Sequence, residues 1–161
     1  MKMKHLLSFP ILLIIFTVAN GADNTWRKDE VAYENNKVIT VYRNPACQCC
    51  KKWINHLKDH KFRVNDVVLE DINPVKTRLG IPPAHSSCHT AVIEDYFIEG
   101  HVPADDIERI LLSRPEIRGL SVPGMPVGTP GMEMGQRKDP FTVIQIHEDN
   151  STTIFNEYTD Y

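Results

Sequence analysis

The 161-residue chain has no apolar run long enough to cross a membrane, no excess of positive charge and no internal repeat. Its longest apolar stretch, residues 6–19 (LLSFPILLIIFTVA), is broken by Ser8, Pro10 and Thr17. A helical span needs roughly 20 predominantly apolar residues. Preceded by MKMKH and followed by NGAD, the stretch reads instead as a cleaved secretory signal, with a basic start, an apolar middle and small residues at the cut. We expect cleavage after Gly21, with Ala22 the next choice. No cysteine stands there to carry a lipid anchor, so the expected location is the periplasm, with no membrane span after cleavage.

Basic residues are also few. Eighteen face 21 acidic ones, and Lys2 and Lys4 leave with the signal, so sixteen against 21 gives a mature net charge of −5. Scattered, mildly acidic charge offers no electrostatic footprint for nucleic acid. The mature part, residues 22–161, is long enough for one domain with a core of its own. We expect residues 1–21 as signal peptide, 22–37 as an N-terminal arm and 38–161 as a single domain.

Sulfur is scarce, and what remains is concentrated. Met1 and Met3 belong to the signal, and the other three methionines, Met125, Met132 and Met134, fall within ten residues. The cysteines are Cys47, Cys49, Cys50 and Cys88, three of them inside PACQCC.

The polar segment 22–37 shows no clear period and suggests a loose arm or a short helix. VITVYR (38–43) reads as a buried strand, bounded by Asn44-Pro45. From Gln48 the apolar positions Cys50, Trp53, Ile54 and Leu57 follow helical spacing. VNDVVLE (64–70) suggests a second strand. NPVKTRLG (73–80) suggests a short helix capped by Asn73 and closed by Gly80. TAVIE and YFIEG flank Asp95 as two closely connected strands, and PADDIERILLSR (103–114) as another helix. The expected fold is α/β: a thioredoxin-like β-α-β-α-β-β-α core, then a Pro/Gly/Met-rich loop (114–140) and a final β-hairpin around EDNS.

Cys47 falls at the strand-to-helix turn, where open N–H groups and the positive end of the helix dipole favour a thiolate. Cys50, three residues on, completes a C-x-x-C pair. Cys49 is surplus to that pair and invites scrambled disulfides, whereas three thiolates within one turn suit a soft metal ion. In the expected fold the segment before the third strand, HSSCHTAVI, brings Cys88 and His89 to the trio. Met125 and Met132 sit in PGMPVGTPGMEM without helical or strand period, which fits core packing badly. Thioethers suit Cu(I) and suit zinc or hard cations poorly. His85 joins His89 beside Cys88, His56 and His60 read as a solvated helix face, and His101 and His147 have no evident partner.

Together YRNPACQCCKKW, HSSCHTAVI and GLSVPGMPVGTPGME resemble the CopG family of exported copper-resistance proteins, long catalogued as a domain of unknown function, over about residues 38–158. YRNPAC alone is also similar to arsenate reductases, which lack the adjacent cysteine pair. The family resemblance implies a thioredoxin-like core whose cysteines hold several copper ions, a role in periplasmic copper tolerance, and cycling between Cu(I) and Cu(II). Its implied ligands are Cys47, Cys49, Cys50 and Cys88, with His89, Met125 and Met132. Other periplasmic copper-handling proteins are the implied partners. Two alternatives stay open: a thiol–disulfide oxidoreductase using Cys47 and Cys50, and a non-enzymatic binding module stapled by disulfides.

Overall fold

The computed structural model describes Trp26 and residues 37–161; the signal segment and most of the arm lie outside the described residues. β1 (Val38–Arg43), α1 (Gln48–Asp59), β2 (Arg63–Val68), α2 (Asn73–Leu79), β3 (His89–Ile93), β4 (Tyr96–Glu99) and α3 (Ala104–Ser113) follow in the expected order. A 3-10 turn, Pro83–His85, precedes β3. Beyond α3 come β5 (Gly119–Ser121), β6 (Phe141–Ile146) and β7 (Thr152–Tyr158). The seven strands form one mixed sheet in the order β2-β1-β3-β4-β5-β6-β7. β1 runs parallel to β2 and antiparallel to β3, so the end of β1 and the start of β3 share one edge region.

Side-chain alternation along the strands builds a core on each face. Ile98 packs with Trp53, Leu57, Ile107 and Ile110, placing α1 and α3 on one side. Its neighbour Phe97 packs on the other side with Leu79 and Ile81, at the end of α2. Among the described residues no helix is long and apolar enough to cross a membrane.

Three expectations are corrected. The segment 114–140 is not all loop, because β5 pairs parallel to β4, with Phe97 opposite Gly119. A Cβ on Gly119 would lie 2.0 Å from the Phe97 carbonyl oxygen, so backbone proximity rather than an apolar pattern makes this strand. Asn73 does not cap α2. Ile72 holds the cap position without a side-chain bond, and the Asp71 carboxylate accepts from the Asn73 N–H at 2.9 Å. His56 and His60 are buried, at 8% and 2% exposure, rather than solvated. The start of α3 covers them: the Ala104 N–H donates to His56 Nε2 at 3.0 Å. The Trp26 carbonyl meets His60 Nε2 at 3.0 Å.

Candidate metal centre

The turn from β1 into α1 is held from both sides. Arg43, at the end of β1, donates to both Asp66 oxygens on β2, at 2.8 and 2.7 Å. The Asn44 side chain accepts from the Ala46 N–H at 2.9 Å and donates to the Glu70 carbonyl at 2.7 Å, an Asx turn that redirects the chain. Cys47 then caps α1, its Sγ accepting from the Cys50 N–H at 3.3 Å. Cys47 and Cys50 are joined by a disulfide, and Cys49 and Cys88 are free.

Cys88 arrives from the other segment, as expected. Its Sγ lies 3.7 Å from that of Cys50 and 3.9 Å from that of Cys49, and Cys49 Sγ is 3.5 Å from Cys47 Sγ. All four sulfurs fall within 4.8 Å of one another. Two sulfurs bound at about 2.3 Å to one metal stand at most about 4.6 Å apart, so the spacing fits shared ions once the disulfide is reduced. Burial, and then the neighbouring Cys49, push the Cys88 thiol up to about 12. It is a neutral thiol until a cation arrives.

Nitrogen donors flank that thiol on both sides. His89 Nδ1 and His101 Nε2 each lie 3.3 Å from Cys88 Sγ. His101 Nδ1 contacts the Pro130 carbonyl at 2.8 Å. A carbonyl only accepts, so the proton sits on Nδ1 and the Nε2 lone pair faces the sulfur, an arrangement typical of metal-ligating histidines. Burial holds His101 below its ordinary value. His89 is fully buried and held well below, by burial first and then by the His101 and Lys76 charges. Both rings are neutral near pH 7. His101 has no place in the ligand set drawn from the motifs. Counting outward from the β3–β4 turn would have found it, since the register that ends at Thr90–Glu99, carried two steps further, brings residue 88 opposite residue 101.

A buried charge cluster fixes the approach to Cys88. Glu99 accepts from the Ser87 N–H at 2.5 Å and from the Thr90 hydroxyl at 2.6 Å, and pairs with Lys76. Burial pushes the Glu99 carboxyl above its ordinary range, against the opposing pull of Lys76.

The Pro/Gly/Met segment closes over the site at three points. Ser87 Oγ donates to the Gly124 carbonyl at 2.6 Å, Pro130 holds His101, and Gly131 lies against α1. A Cβ on Gly131 would come within 2.6 Å of the Trp53 nitrogen and 2.9 Å of the Cys49 carbonyl oxygen. Met125, next to Gly124, is 53% exposed, which agrees with a residue that is not core filler. Met132 is half-buried, its carbonyl accepting from the Gly128 N–H at 2.9 Å. Met134 stands exposed beside them. His85 is tied through its backbone, whose carbonyl accepts from Ser121 Oγ at 2.7 Å. His147 finds a partner in the Thr153 hydroxyl, at 2.9 Å across the β6–β7 hairpin.

Comparison with known proteins bears on this centre. A family model described as "Protein of unknown function, DUF411" matches residues 85–132, a span holding Cys88, His89, His101, Met125 and Met132. A solved structure named "Copper resistance protein copG- Form 2" is 46% identical, with a TM-score of 0.74. The match covers 78% of this chain and 100% of that one. "Copper resistance protein copG- Form 1" is 47% identical, with a TM-score of 0.72, covering 76% of this chain and 98% of that one. No curated protein matches the chain.

Proposed function

The chain belongs to the family of the copper resistance protein CopG, and we propose that it takes up Cu(I) as cargo in the periplasm, several ions per chain. Cys47, Cys49, Cys50 and Cys88 supply bridging thiolates. His89 and His101 supply nitrogen, and Met125 and Met132 supply thioethers from the covering segment. One observation carries this reading: four sulfurs from two segments, 38 residues apart at their closest, converge within 4.8 Å. A set of part-buried thiols backed by buried, neutral imidazoles suits a soft monovalent ion far better than a hard one. Residues 1–21 act as the export signal, and other copper-handling proteins of that compartment exchange ions with the site.

The protein's own steps follow from the geometry. Opening the Cys47–Cys50 disulfide takes two electrons and two protons from an external dithiol, which is itself oxidised to a disulfide, and yields two thiols. Each thiol gives up its proton as an ion binds, and burial of Cys88 makes that exchange depend on the incoming charge. Gly131 packs directly on the α1 backbone at Cys49 and Trp53 and covers that side of the thiols. Holding Cu(I) among thiolates, and releasing an electron from it to an acceptor outside the protein, gives interconversion with Cu(II).

The test is anaerobic Cu(I) loading of the reduced full chain, with metal analysis and a count of reactive thiols. We expect more than one Cu(I) per chain and protection of all four thiols. One ion or none, or thiols that stay reactive, would overturn the cluster. The Cys47–Cys50 disulfide favours a second reading, thiol–disulfide exchange with Cys47 as nucleophile and Cys50 as resolving thiol. Turnover of a protein disulfide by the copper-free chain would support it.

A further inference from the structure

We propose that Trp26, from the N-terminal arm, is a positioning residue for the metal centre. It holds the buried turn 128–132 of the covering segment closed over the thiols, and so slows the loss of Cu(I). The copper half of this role rests on the thiolate reading above. Trp26 reaches the centre indirectly, through the backbone it anchors.

Gly128, Thr129, Pro130 and Gly131 are buried without forming a strand or a helix. Their backbone N–H and C=O groups therefore need partners that regular structure would otherwise supply. Two bonds close the turn on itself: the Gly128 N–H donates to the Met132 carbonyl at 2.9 Å, and the Met132 N–H to the Thr129 carbonyl at 2.8 Å. The Gly131 N–H donates to the Glu133 carboxylate at 2.9 Å. The Pro130 carbonyl accepts from His101 Nδ1 at 2.8 Å. The Gly128 carbonyl accepts from the Trp26 indole N–H, also at 2.8 Å and from 102 residues away. One short turn thus carries the carbonyl that orients His101, the glycine that lies on Cys49, and Met132. Trp26 ties it down from outside.

A tie of this kind holds only if its own end is fixed, and Trp26 is fixed on several sides. Its ring lies 6.2, 5.4 and 5.2 Å, between centroids, from Phe141, Tyr158 and Tyr161. It stands edge-on to His56 at 6.3 Å, and its carbonyl accepts from His60 Nε2 at 3.0 Å. The indole therefore joins the end of α1 and the last two strands to the turn. Tyr161 holds the same segment from another side. Its hydroxyl donates to the Asp139 carbonyl at 2.9 Å, and the Asp139 N–H donates to the Val127 carbonyl at 2.8 Å. A Cβ on Gly128 would lie 2.7 Å from the Tyr161 hydroxyl oxygen, so the turn has no slack there. Lifting Gly128 off the indole leaves a buried carbonyl unpaired. It also draws Pro130 away from His101 and Gly131 away from Cys49.

Two rates test this in the full chain: alkylation of Cys49 by iodoacetamide without metal, where Cys49 is free, and transfer of Cu(I) from the loaded protein to a chelator. Trp26→Phe keeps a ring in the aromatic cluster and removes the indole N–H. Trp26 is only partly buried at the margin of the core, so the variant folds. We expect both rates to rise about tenfold, the effect of one buried acceptor left without its donor. In Met132→Leu, which lacks the thioether that the turn carries, Trp26→Phe should speed Cu(I) transfer by a smaller factor, as coupled residues do. Either rate within twofold of the wild type would overturn the positioning role. So would the same acceleration of transfer with and without Met132, because that is plain loosening of the fold. A wild type that takes up no Cu(I) would sink the thiolate reading, and alkylation alone would then decide whether Trp26 holds the turn.

Discussion

Cys88 Sγ lies 3.3 Å from His101 Nε2, across the open end of the β3–β4 hairpin. The register runs outward from Ile93–Tyr96 to Thr90–Glu99, and two further steps bring residue 88 opposite residue 101. The two donors come to 3.3 Å just beyond the paired part of the hairpin, past the Gly100 N–H bond to the His89 carbonyl at 3.1 Å, and Pro130 orients the ring.

His101→Ala should leave the thiols in place but remove a donor and its oriented lone pair. Cu(I) affinity should fall about 10- to 100-fold, the loss usual when a ligand or its support is removed. Competition against a Cu(I) chelator measures it. Affinity within twofold of the wild type would exclude His101 from the ligand set.

Cys49 separates the two chemistries of the trio, because only the metal reading needs it. Cys49→Ser should impair copper uptake and leave any disulfide-exchange activity intact or improved. Normal copper uptake in Cys49→Ser, together with loss of exchange in Cys47→Ser, would make the chain an oxidoreductase.

The thioethers can be removed without changing bulk. Met125→Leu with Met132→Leu should cost less than about 1.5 kcal/mol of stability, as volume-conserving swaps do. Cu(I) affinity should fall more than Cu(II) affinity, because sulfur favours the softer ion. Met134→Leu is the comparison and should bind normally. A large loss of stability at unchanged affinity would make Met125 and Met132 packing residues.

Gly131→Ala probes how closely the covering segment must lie. Its φ is +85°, and the new Cβ would meet the backbone of Trp53 and Cys49. We expect a loss of about 2–4 kcal/mol, from left-handed strain of about 1–2 kcal/mol plus overpacking, and weakened copper binding. Gly135 has φ +65° and open space around it, so Gly135→Ala should show only the strain and leave copper binding alone. Equal effects in urea unfolding would rule out the close contact.

The buried imidazoles predict a pH dependence of folding for the copper-free protein. His89 and His101 are held below 6.5 in the folded state, so the unfolded chain takes up protons first. Their contribution to stability is complete above about pH 6.5 and is lost as pH falls toward the folded values. The urea midpoint should drop between about pH 7.5 and 5.5. The drop should be smaller in His101→Gln, and an equal one would mean that other groups carry it.

Much of the scaffold was legible in the order of residues. VITVYR, the helical spacing of Cys50, Trp53, Ile54 and Leu57, and the strands about Asp95 form the expected elements, because burial of apolar side chains dominates there and leaves its period in the chain. The thiol trio was visible for a similar reason, being local. β5 was not visible: three residues, one a glycine, hold it by main-chain pairing and leave no pattern. Nor was the cap of α2, where Asp71 reaches in from one residue outside the position that propensity favours.

Sequence by itself determined which donors exist and that three thiols share one helical turn, since spacing along a helix is set by 1.5 Å and 100° per residue. Tertiary structure alone decided which donors meet. The chain leaving the β3–β4 hairpin brought His101 to Cys88, and the packing of α3 on α1 buried His56 and His60 that helix patterning had placed in water. The return of the Pro/Gly/Met segment laid Gly131 on Cys49. Each of these is a contact between residues far apart in the chain. Its energy depends on the closing of a backbone path and on how two surfaces fit, and neither quantity is written in any local stretch of residues.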